Sequence, residues 1–172
     1  MIQKYGCKLV RLTEDKIELV RQWRNSTGVS SYMAFKGTIT PEMQLEWFNK
    51  INNNHNYFFI AMYNDDEVGL LNLKDVDYNN YCAEAVIYIA NEKYLNSHVS
   101  FKLSYTFSEF AFGTLELKYL NSHVLSDNTR AIKFNKTFGF ELQPNQSDVY
   151  NQHYILTKEN YYKNRDFITR IL

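Results

Sequence analysis

NTRAIKFNKTFGF, residues 128–140, is the stretch on which the reading of this chain turns. Asn128 has the chemistry of an N-cap, a short side-chain oxygen that accepts from an amide one turn further on. A helix then runs to Thr137, and Gly139 ends it, because glycine takes the left-handed C-cap conformation at little steric cost. Phe-Glu-Leu (140–142) opens a strand whose hairpin partner is Tyr-Ile-Leu-Thr (154–157).

Just upstream lies KYLNSHV (118–124), and the same seven letters occur at 93–99. In the later copy Tyr119, Asn121 and His123 alternate with Leu120, Ser122 and Val124, a strand pattern. The earlier copy straddles a loop leading into a helix, in which Val99, Leu103, Phe107 and Phe110 fall at helical spacing and Gly113 is the stop. The flanks share nothing, so the two copies are one word used in two settings rather than an internal repeat.

Ala-Glu-Ala-Val-Ile-Tyr-Ile-Ala (83–90) precedes that loop and reads as a nearly continuous apolar strand, hence central and covered on both faces. Before it, 57–63 and 68–76 form a hairpin around Asn-Asp-Asp-Glu. Cys-Lys-Leu-Val-Arg-Leu (7–12) is a further strand; Thr13 is placed to cap a helix with Ile17, Val20 and Trp23 on its inner face. Thr40-Pro41-Glu42 starts another helix, lined by Met43, Trp47 and Ile51. The expectation is a single domain over 1–172, with its core at 7–157 and a charged peripheral tail at 158–172.

Nineteen basic and nineteen acidic residues cancel, which removes the long-range field that draws proteins to nucleic acid or anionic membranes. With 45 % hydrophobic and 22 % charged residues the composition is globular. Cys7 and Cys82 are the only cysteines, far apart and outside any metal spacing, so no metal site is expected. The N-terminal stretch has no leader pattern and no apolar run approaches membrane-spanning length; a cytoplasmic protein without membrane insertion is expected.

In residues 128–140, Asn128, Ala131, Ile132, Gly139 and Phe140 match the pattern N-x-x-A-[IV]-x(6)-G-F, which resembles the C-terminal signature of the GCN5-related N-acetyltransferases (GNAT). Trp23-Arg24-Asn25, Tyr32-Met33, residues 38–51 and 83–91 resemble the RimJ/RimL-like branch. The nearest likeness there is to the acetyltransferases of pseudaminic acid synthesis, which act on a nucleotide-linked amino sugar. The resemblance spans about 7–157. It implies an α/β (α+β) GNAT fold: a central mixed sheet of about six or seven strands, about four flanking helices, and a splay between the two central strands.

That likeness also implies roles. Acetyl-CoA, or another short acyl-CoA, would lie in the splay, its pantetheine along the backbone of Tyr88, Ile89 and Ala90 and near Asn128, Ala131 and Asn135. Its pyrophosphate would sit on the loop and helix start at Asn96, Ser97, His98, Val99, Ser100, Phe101 and Lys102. The family usually places glycines in that loop; here there are none, and β-branched Val99 occupies the position of close approach. Asn135 stands where many members carry a tyrosine acid. Glu84, on the central strand, would be the general base acting through water, with a carboxyl raised by its apolar surroundings. Arg24, Asn25, Tyr32 and Met33 would border a small-molecule amine acceptor, with a nucleotide-sugar favoured over a protein N-terminus or an aminoglycoside. The glycine-free loop and Asn135 keep a non-catalytic binding module open, and a homodimer is equally open. His55, His123 and His153 show no metal or triad spacing and read as surface or satisfied side chains.

Overall fold

The computed structural model describes residues 1–170. In chain order it contains β1 (Ile2–Lys4), β2 (Cys7–Arg11), α1 (Ile17–Asn25), α2 (Thr27–Ser30), α3 (Pro41–Ile51), β3 (Tyr57–Tyr63), β4 (Asp66–Asp77) and β5 (Cys82–Ile89). There follow α4 (Val99–Glu109), β6 (Tyr119–Leu125), α5 (Thr129–Phe138), β7 (Glu141–Leu142), β8 (Asn151–Thr157) and α6 (Lys158–Arg170). The strands form one mixed eight-stranded sheet in the order β1-β2-β3-β4-β5-β6-β8-β7. Each described neighbouring pair is antiparallel except β5 with β6.

Strand alternation divides the core in two. On one face Ala83, Ala85, Ile87 and Ile89 of β5 join Leu71, Leu73 and Leu120 beneath Val99, Leu103 and Phe107 of α4. On the other, Tyr88 packs with Leu70, Phe58 and Ile60 against Val20 of α1 and Phe48 of α3.

The central strands stay together only briefly. β5 and β6 pair at Cys82–Tyr119, Ala83–Leu120 and Glu84–Asn121, and no further. Beyond Glu84 each strand runs on alone, so one edge of each is left without a ladder partner. On its other edge β5 is held tightly: a Cβ added at Gly69 of β4 would lie 2.1 Å from the Tyr88 carbonyl oxygen.

Local signals hold at most element ends. Asn128 Oδ1 accepts from the Ala131 amide at 3.1 Å, Thr40 Oγ1 from Met43 at 3.3 Å, and Gly139 caps α5 at φ 108°. Thr13 makes no cap bond, because a 3₁₀ turn at Glu14–Lys16 precedes α1. Gly113 does not stop α4 as a left-handed cap; the helix widens into a π-type turn at Phe110–Thr114, and the left-handed residue beyond is Glu116. The sheet has one strand more than expected, because β1 adds to the edge of β2.

The tail is not peripheral. Its α6 helix carries Tyr161, fully buried against Phe112, Phe138 and Tyr105, with its hydroxyl donating to Glu109 at 2.8 Å. The last two residues of the expected tail, 171 and 172, lie outside the described residues.

Candidate active site

The loop into α4 solves its lack of glycine with asparagine. Asn96 takes φ 60°, a left-handed conformation that asparagine adopts more cheaply than other side chains with a Cβ. Ser97 Oγ donates to the Tyr94 carbonyl at 2.7 Å and accepts from the Val99 amide at 3.2 Å; Ser100 Oγ donates to the Ser97 carbonyl at 3.0 Å. Asp66 pins the loop from behind, accepting from Tyr94 Oη at 2.6 Å and Lys93 Nζ at 2.9 Å. Val99 points into the core at 2 % exposure, so its branched side chain does not obstruct the helix start. The first backbone bond of α4 is Lys102 N–H to the His98 carbonyl at 3.1 Å, and helix geometry leaves the Ser100 and Phe101 amides unpaired ahead of it. Lys102 and His98 flank this end, both against the Tyr63 ring.

The splay offers the complementary wall. The Ala90 amide bonds the Val68 carbonyl at 2.9 Å, which sets the ladder alternation: backbone groups of Tyr88 and Ala90 face β4, while those of Ile87 and Ile89 face the splay. Of the three residues expected along the acyl-donor arm, Ile89 presents its backbone groups to the splay, as Ile87 does, and Tyr88 and Ala90 do not. The Ala90 amide is already committed. Behind the splay a cavity of about 30 Å³ is lined by Ala85, Ile87, Ser104, Ser122, Phe134 and Asn135. Phe134, one of the lining rings, packs on Phe101 of α4 at 4.7 Å between centroids.

Among the described residues, four buried side-chain polar atoms lack any hydrogen-bond partner: Arg24 Nε, Tyr88 Oη, Ser104 Oγ and Asn135 Nδ2. Buried polar atoms are nearly always paired, and an unpaired one costs stability. Two of these line the splay cavity. The other two stand on the opposite face, where burial pushes the Tyr88 phenol up and nearby Arg24 partly offsets it.

On that second face Glu84 reaches across the point where the strands part. Its oxygens lie 2.9 and 3.2 Å from His123 Nδ1. The His123 ring stacks on His153 at 4.8 Å and 13°, and His153 Nε2 lies 2.9 Å from Asn121 Oδ1. Burial, and then His123, hold His153 below the usual histidine range, with Glu84 opposing. Glu84 thus has an imidazole partner rather than the purely apolar surroundings expected of its strand.

Asn25 is occupied elsewhere: its amide donates to the Ile39 carbonyl and accepts from the Ile39 amide, both at 2.9 Å. It clamps the end of the loop after α2 and has little left to offer a ligand. Tyr32 in that loop is exposed beneath the Arg130 guanidinium, 5.3 Å from its ring centre, and Met33 is half-buried. The loop therefore reaches across to α5. Sequence reasoning missed His123, Ser104 and Arg130; the alternation of β6, which puts Asn121 and His123 on one face, was the signal available for the first.

The unpaired helix-start amides, the open strand edges and the two orphaned polar atoms together fit a diphosphate with a long amide-bearing arm. Residues 9–155 match the family model described as Acetyltransferase (GNAT) domain. The chain belongs to the GNAT acetyltransferase family. Members of that family use acetyl-CoA. The chain is 22 % identical over 140 residues to the acetyltransferase PseH of Campylobacter jejuni subsp. jejuni serotype O:23/36 (strain 81-176), covering 81 % of this chain and 86 % of that one. Its fold is similar to apo FdhC, a nucleotide-linked sugar GNAT, with TM-score 0.81 and 24 % identity over 99 % of this chain and 97 % of that one. It is also similar to spermidine N-acetyltransferase from Vibrio cholerae, solved with CoA and spermine: TM-score 0.78, 18 % identity, 92 % and 99 % of the two chains. Among the described residues no helix is long and apolar enough to cross a membrane, and no group of three or more His, Cys, Asp or Glu could hold a metal.

Proposed function

We propose that this GNAT enzyme transfers an acetyl group from acetyl-CoA to the primary amine of a nucleotide-linked amino sugar, by direct attack in a ternary complex in the cytoplasm. The carrying observation is the unpaired Arg24 Nε on the acceptor face, beside the orphaned Tyr88 hydroxyl and near a loop that exposes Tyr32. A half-buried guanidinium with an unpaired Nε and no described carboxylate partner suits the phosphates of a nucleotide, and an exposed aromatic suits its base or sugar ring. The same cation opposes a polyamine, which the spermidine enzymes named above acetylate. In this reading Asn96 to Lys102 hold the diphosphate of the acyl donor, Ile87 and Ile89 offer backbone groups to its arm, and Asn128, Ala131 and Asn135 border that arm. Met33 borders the acceptor. The Glu84 carboxylate drives removal of the ammonium proton. The likeness to FdhC, a nucleotide-linked sugar GNAT, and the resemblance of 23–51 and 83–91 to the acetyltransferases of pseudaminic acid synthesis support the choice of acceptor.

The test is a thermal-shift titration with acetyl-CoA, desulfo-CoA and ATP, followed by thiol-release assays on nucleotide-linked 4-amino sugars, spermidine and an aminoglycoside. A shift with CoA species and turnover of the sugar is expected. Faster turnover of spermidine would overturn the acceptor, and no shift at millimolar acetyl-CoA would leave a binding module as the reading.

A further inference from the structure

We propose that His123 is the residue that takes the proton from the acceptor ammonium, with Glu84 as its positioning residue; this rests on the acetyl-transfer reading above. A carboxylate only accepts hydrogen bonds, so His123 Nδ1, 2.9 Å from Glu84 Oε1, carries the hydrogen in that pair. Neutral His123 is therefore the Nδ1–H tautomer, and its Nε2 lone pair is directed away from Glu84. The His123 side chain is 39 % exposed against 24 % for Glu84, so the imidazole is the more accessible of the two basic groups.

The position is as telling as the tautomer. His123 lies two residues past Asn121, the last β6 residue that pairs with β5, so its ring stands where the splay opens. It is on the Tyr88 side of the sheet, the side on which Arg24 and Tyr88 leave buried polar atoms unpaired. Two contacts fix the ring: Glu84 from β5, and the parallel face of His153 from β8. Burial, and then His123, disfavour the charged form of His153, with Glu84 opposing, and its Nε2–H donates to Asn121 Oδ1. Among the described residues, other charged or titratable groups on this face are Lys74 of β4, which is the register partner of Glu84 and pairs with Asp75, the Cys82–Tyr119 pair two residues before Glu84 and Asn121, and Tyr88 with nearby Arg24.

The chemistry balances. His123 Nε2 removes one proton from R–NH₃⁺; the amine nitrogen bonds to the thioester carbonyl carbon, and the C–S bond breaks as the sulfur leaves with its electron pair. The proton then shed by the new amide nitrogen ends on the sulfur, and the imidazolium, stabilised by Glu84, returns its proton to water.

Two measurements test this. Nitrogen-15 NMR of histidine-labelled protein at neutral pH is expected to find His123 as the Nδ1–H tautomer, lost in Glu84→Ala; an Nε2–H tautomer in the wild type overturns the proposal. In the acetylation assay, His123→Gln is expected to lower kcat by about 100-fold or more while leaving the KM for acetyl-CoA within about twofold, and imidazole should restore part of the rate to His123→Gly. Glu84→Gln should cost less than His123→Gln. Wild-type turnover with an equally active His123→Gln sinks only this proposal. A wild type that acetylates none of the amines tried sinks the acetyl-transfer reading and this proposal with it.

Discussion

Replacing Ser104 by alanine should make the protein more stable and a poorer ligand for acetyl-CoA. Ser104 lies in the middle of α4 at 6 % exposure, with its Oγ buried and unpaired. A buried hydroxyl with no partner costs about 1–3 kcal/mol, and alanine is the better helix former by a few tenths of a kcal/mol. The substitution deletes one atom facing a cavity that already exists, so little packing is lost. A net gain of about 1.5 kcal/mol is expected, which for a domain of this size raises Tm by about 3–6 °C. If the hydroxyl serves the acyl donor, the same change removes one hydrogen bond in the complex, worth about 0.5–1.5 kcal/mol, and weakens binding by about two- to tenfold. Thermal melts with and without acetyl-CoA read both effects on one sample. A fall in the ligand-free Tm, with an unchanged acetyl-CoA shift, would refute the reasoning: the hydroxyl would then be satisfied within the fold, and the orphaned atoms would not mark a ligand site.

Other perturbations follow from the same geometry. Gly69→Ala puts a Cβ 2.1 Å from the Tyr88 carbonyl oxygen, a backbone contact that cannot give way; urea unfolding should show a loss of about 3 kcal/mol or more. Tyr161→Ala empties a fully buried site among Phe112, Phe138 and Tyr105 and should cost about 3–5 kcal/mol by the same method; a loss under 1 kcal/mol would restore the peripheral tail. Folded His153 resists protonation relative to the ordinary value of 6.5, so the unfolded chain takes up the proton first as pH falls. The stability this gives is present above pH 6.5 and is lost below it; His153→Gln should flatten that acid slope in urea titrations between about pH 7.5 and 5.5. Cys7 is fully buried and its thiol is pushed up to about 11 by that burial, with Lys102 pulling the other way. A thiol reagent should therefore label Cys82 in the native protein well before Cys7.

What could be read from the sequence was what local chemistry decides. Asn128, Thr40 and Gly139 announce helix ends because a cap is satisfied within four residues, and the alternation of 119–124 fixes which side chains share a face before any partner strand is known. The Glu84–His123 contact joins residues 39 apart across parallel strands. Its existence depends on a register that only the packed sheet sets, so His123 looked like any other surface histidine. Asn25 failed in the opposite direction. Its place beside Arg24 suggested a ligand, yet its amide was claimed by a loop residue that no spacing rule points to. The tail misled because a charged helix with one buried face keeps the composition of an exposed segment. Among the described residues of α6, Tyr161 is the one that is fully buried.

If the loop at Asn96–Lys102 holds the acyl donor as proposed, it loses a motif's letters and keeps its geometry. Glycine serves a phosphate loop through two separable properties, access to positive φ and the absence of a side chain where the backbone must be approached. Here the two are divided between residues. Asn96 takes the positive φ, and Val99 meets the second need by turning its side chain into the core. Ser97, bonded both to Tyr94 and to the Val99 amide, holds the turn that lets each do so. Asn135 is a different case, since no tyrosine is among the described residues that line the cavity it borders. Its unpaired amide and the Ser104 hydroxyl leave two hydrogen-bond donors around a small cavity instead of one acid. A thiolate is a weak enough base to leave before it is protonated, so donors that stabilise its charge are a chemically sufficient exchange.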